Sequence, residues 1–103
     1  MTETQPPVAP TIKDIGAKVI AKEYDEWRYS WRVVVEATPQ SECYTRVSFV
    51  DEDDFEIESA SDTSTVPSSG RLVVRGTTGI EETLARTIRN TLASIEVFPR
   101  DTA

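Results

Sequence analysis

The chain has 103 residues, with 18 acidic and 11 basic side chains, no histidine and a formal charge of −7. That length holds one domain, and its acidity repels phosphate, which excludes nucleic acid as a direct ligand. The missing histidine removes the commonest general base and the commonest metal ligand, so neither an enzyme nor a cofactor is expected.

A chain this short buries roughly 60–65% of the surface its unfolded form exposes, enough for one core. Leucine is scarce, while valine, threonine and serine are common, a composition that suits a pleated surface. Cys43 is the single cysteine, so no internal disulfide forms. The start, MTETQPPVAPT, has neither a basic nor an apolar signal-peptide region, and no apolar run reaches a membrane-spanning length. The expectation is a cytoplasmic protein without membrane contact.

Residues 1–11 hold Pro6, Pro7 and Pro10 and read as an extended tail, with the domain over 12–99 and a short tail at 100–103. Ala17, Val19 and Ala21 alternate with Lys18, Ile20 and Lys22, predicting a lysine-guarded edge strand over 17–24. Trp27, Tyr29, Trp31, Val33, Val35 and Ala37 then alternate with mostly polar residues, the pattern of a half-buried strand. Asp25 and Glu26 supply the turn between these two strands. Pro39 and Ser41 mark the next connection.

Residues 44–59, YTRVSFVDEDDFEIES, predict a hairpin. Val47, Phe49, Phe55 and Ile57 form its apolar face, Val50 lies outward with Arg46 and Ser48, and Asp53 and Asp54 form its tip. Residues 59–70 read as a polar loop or irregular edge strand around Val66, and 71–75 as a short strand with Leu72 and Val74 inward. Gly76 to Gly79 read as a break. Ile80, Leu84, Ile88 and Leu92 recur every four residues, predicting a helix of one to three turns capped by Thr78 or Gly79. A last strand runs over 94–98, and Pro99 ends it. About six strands with one short helix before the last predict a mainly β fold, a small antiparallel immunoglobulin-like sandwich. A single sheet with the helix on one face is the alternative architecture.

The acids are unevenly placed. Between Glu36 and Asp62 only Arg46 opposes nine carboxylates, whereas arginines outnumber glutamates from Arg71 onward. Asp51, Glu52, Asp53, Asp54 and Glu56 offer oxygen to a hard cation, but the EF-hand spacing fails. From Asp51, position five is Phe55, and position six is Glu56 where glycine is required. Cys43 has no imidazole to activate it and reads as a structural thiol. Candidate partner-binding residues are therefore Asp51, Glu52, Asp53, Asp54, Glu56 and Glu58 of the hairpin and Trp27 and Trp31 of the aromatic strand. The partner they suit is an unidentified protein, a basic one for the acidic hairpin. Uncovered strand edges also allow a homodimer by edge pairing. The alternative is an acidic inhibitor that mimics nucleic acid, since Glu56 and Glu58, two apart on one strand face, are spaced by roughly 6–7 Å.

Val47–Phe49–Val50–Asp51, the acidic turn after it and the alternating run that begins at Tyr29 resemble the FxLYD-type family of small immunoglobulin-like sandwich domains. Asp53 and Asp54 stand where its members carry a tight turn, and 67–75 and 93–97 fit its last strands, so the resemblance spans 30–97. It implies a binding, spacer or envelope-associated module and no catalytic residues.

Overall fold

The two strands with the clearest alternation lie at the centre of the fold. A computed structural model describes residues 9–99. In it β2 (Glu26–Glu36) and β3 (Glu42–Val50) are the middle strands of two three-stranded antiparallel sheets. β1 (Thr11–Lys22) and β5 (Arg71–Glu81) flank β2, while β4 (Glu56–Thr65) and β6 (Asn90–Phe98) flank β3. A single helical turn, α1 (Glu82–Ala85), links β5 to β6. The described residues are thus mainly β, as the alternation predicts. Among them no helix is long and apolar enough to cross a membrane. Most of the expected N-terminal tail, and all of residues 100–103, lie outside the described residues.

The core forms where the central strands face each other. Tyr29, Trp31, Val33, Val35 and Ala37 come from β2 and its end, and Cys43, Val47 and Phe49 from β3. Leu72, Val74 and Ile80 of β5 join them with Val66 and Ala85. Each valine, leucine, isoleucine or phenylalanine among them contributes about 1.5–3 kcal/mol when fully buried, so central positions dominate the packing. The Tyr29 and Phe49 rings meet with centroids 5.2 Å apart, tilted by 51°. The Tyr29 hydroxyl donates to the Ala85 carbonyl, and burial pushes the phenol above its ordinary pKa. Edge strands face solvent on one side, so Ile12, Ile15 and Val19 of β1 and Ala93, Ile95 and Val97 of β6 remain half-buried.

Several boundaries differ from those predicted. β1 begins at Thr11, and Lys13 and Ile20 are extra residues relative to β2. The second bulge sets Ala21 opposite Arg28 and Lys22 opposite Trp27, so Ala21 leaves the face of Val19. Of the two readings of 59–70, the edge strand holds as far as Thr65, where β4 ends, because an edge ladder needs backbone groups more than apolar side chains. Gly76 to Gly79 are no break but part of β5, which pairs with β2 without interruption. The helix is one turn, at the short end of the predicted one to three, but its N-cap is Glu81 with no side-chain cap, so neither Thr78 nor Gly79 serves. β6 starts at Asn90, where Thr91 and its apolar neighbours favour a strand.

The β4–β5 connection is tied to the end of β2. Val66 exchanges backbone bonds with the β2–β3 connection, donating to Ser41 and accepting from Gln40, both at 2.8 Å. Gly70 accepts from Ala37 N–H at 3.0 Å and has φ of +79°, a conformation that costs a residue with Cβ.

Candidate partner-binding surface

The acidic hairpin turn is built around Asp51. Its Oδ1 accepts from the backbone N–H of Asp53 at 2.9 Å and of Phe55 at 3.0 Å. Asp51 N–H donates to Phe55 C=O, and Asp54 N–H to Asp51 C=O. Asp54 takes the left-handed conformation at φ 63°, which Asp tolerates better than most residues, so the tip lies where the sequence places it. Asp51 is therefore a turn-forming carboxylate. Replacing it with alanine should lower stability by about 1 kcal/mol, while asparagine should keep most of it because an amide oxygen can still accept. Urea midpoints at unchanged slope measure both.

The remaining acids divide by position. Glu56 accepts from Arg46 Nη2 at 2.8 and 2.9 Å and from Ser48 Oγ at 2.8 Å. Glu52, Asp53, Asp54 and Glu58 are exposed. Arg86 and Arg89 stand across a shallow cavity of about 220 Å³ from Asp51, Glu52 and Asp53. Arg86 also pairs with Glu82, so the fold places part of the C-terminal positive charge beside the acidic turn. Sequence separation hid these two arginines, although the charge reversal after Arg71 was visible. Among the described residues no three carboxylate or thiol side chains converge as metal ligands.

Two residues lie elsewhere than the alternation predicts. Phe55 is 69% exposed at the tip and takes no part in the core, because Asp51 holds it inside the turn just before β4 begins. Val50, expected outward, is buried. A register shift also pairs Glu58 with Phe49 but Glu56 with Val50. Those partners lie on opposite faces of β3, so the two glutamates do not share a face and the spacing behind nucleic-acid mimicry is lost.

The aromatic strand contributes less surface than expected. Trp31 is only 4% exposed and its Nε1 donates to Thr78 Oγ1 at 3.3 Å, so it belongs to the core. Trp27 is half-buried and lies under its own cations, with Lys22 Nζ 4.1 Å and Arg86 Cζ 5.4 Å from the ring centroid. Outward apolar residues that alternation alone did not single out include Tyr44, Leu92 and Phe98, on the outer face of the β4–β3–β6 sheet. Compared with known proteins, the chain matches no family model and no curated protein.

Proposed function

We propose that this chain is a non-enzymatic immunoglobulin-like module that works by protein–protein contact, chiefly through its acidic hairpin tip. The observation that carries this reading is Phe55, an aromatic side chain exposed among Glu52, Asp53 and Asp54. Aromatic groups are enriched at contact surfaces because they bury much area at little entropic cost, and surrounding charge steers the encounter. The partner that fits is a protein with an apolar socket rimmed by lysine or arginine. The strand orders β1-β2-β5 and β4-β3-β6 are compatible with strands A-B-E and C′-C-F of an immunoglobulin sandwich, and the resemblance to FxLYD-type domains points the same way. A cytoplasmic setting, which keeps thiols reduced, suits the buried free Cys43.

The test is capture of a partner from cell extract on immobilised chain. Wild type should retain a basic protein at low salt and release it at high salt. Phe55→Ala and the pair Asp53→Asn with Asp54→Asn should each weaken capture without changing the melting temperature. Retention unaffected by both variants sinks the reading.

A further inference from the structure

The four sheet edges are guarded unequally. A free edge exposes N–H and C=O groups to pairing with another chain, and charges or bulges normally prevent it. β1 carries Lys13, Lys18 and Lys22 and two bulges. β4 carries Glu56, Glu58 and Asp62 and a bulge at Ile57. β5 carries Arg71, Arg75 and Glu81. β6 pairs with β3 from Asn90 to Phe98 without a register shift, and Glu96 is its one charged residue. Among the described residues no strand pairs with its other edge. Its outer side leaves Leu92 44% and Phe98 51% exposed, and its inner side leaves Ala93, Ile95 and Val97 half-buried. β6 is thus the straight, nearly uncharged edge, with apolar groups on both faces.

We propose that the chain forms a symmetric homodimer in which β6 pairs antiparallel with β6 of a second copy, Ile95 lying opposite its own counterpart. Residues opposite one another share a face, so a two-fold pairing must be centred on one residue. Centring on Glu96 sets two carboxylates against each other. Centring on Ser94 sets Leu92 against Glu96. Centring on Ile95 sets Leu92 against Phe98 and Ala93 against Val97, each twice, with Glu96 opposite Ser94. The ladder then stops where Thr91 meets Pro99, which has no N–H to donate. The product is one six-stranded sheet, in order β4-β3-β6-β6-β3-β4. It rests on the reading of this chain as a contact module and names a second copy as one partner.

Sedimentation of the full chain from micromolar to millimolar concentration tests the proposal. Wild type should be dimeric at the upper end. Leu92→Lys and Phe98→Glu should each weaken association about tenfold or more, because each sets a charge against an apolar side chain. The double variant should restore the dimer, since opposite charges then face each other across the interface in this register. Ile95→Cys should form an intermolecular disulfide under mild oxidation, with buried Cys43 as a silent background. A monomeric wild type, a dimer indifferent to both single changes, or a double variant that stays monomeric overturns the proposal. The acidic-tip reading is separable. A monomeric wild type that still captures a basic protein through Phe55 removes the dimer alone, and a dimer that captures nothing removes the tip alone.

Discussion

Phe49→Ala should cost about 3–5 kcal/mol, while Phe55→Ala, six residues away in the same hairpin, should change stability by no more than about 0.5 kcal/mol. Phe49 is fully buried on the central strand of its sheet and packs against Tyr29. Truncating it removes the transfer energy of the ring and leaves a cavity that the neighbouring valines fill only in part. A domain of this size has about 5–15 kcal/mol in total, so this one change removes a large share. Phe55 makes no comparable contact, being exposed on a turn whose shape comes from Asp51. Equilibrium urea unfolding of the two variants beside wild type decides the matter. Equal losses would mean that the hairpin buries both rings.

The second large effect is Gly76→Ala. Gly76 lies directly opposite Trp31 across β5 and β2. A Cβ at Gly76 would stand 2.6 Å from the ring atom Cε2, and Cζ2 is closer still. The indole is buried and donates to Thr78, so it cannot swing into solvent without loss. The expected destabilisation is about 1–3 kcal/mol or more. Trp31→Phe removes Cζ2, the ring atom nearest the added Cβ, and should itself destabilise by leaving a cavity. The double variant should then be more stable than the sum of the two singles predicts, by about 1 kcal/mol. Additive losses in melting curves would show that the glycine is needed for something other than room for the tryptophan.

The same glycine shows why β5 was only half legible. Gly-Thr-Thr-Gly reads as a break when seen alone, and Arg71 to Arg75 then look like a complete short strand. The residue that explains Gly76 is 45 positions away, on the neighbouring strand. The four-residue spacing of Ile80, Leu84, Ile88 and Leu92 misleads for a related reason. Ile80 is buried from a strand, Leu84 lies exposed on the helical turn, and Leu92 points outward from β6. Their spacing matches a helix, but the four do not share an environment. The candidate site divides in the same way. The turn at Asp53 and Asp54 was readable because its chemistry is local. The exposure of Phe55, the opposed faces of Glu56 and Glu58, and the arginines beside the turn were not, because each depends on register or on a distant segment.

By itself the sequence determined the β class, the two central strands and the acidic turn. Strict alternation has one comfortable solution when a single face must be buried, and β2 and β3 both carry it. Only the tertiary structure decided which strands became neighbours, where one extra residue in β1 or β4 reversed a face, and which edge was left unguarded. Bulges and cross-strand glycines answer to the partner strand, and a chain read one residue at a time does not contain its partner.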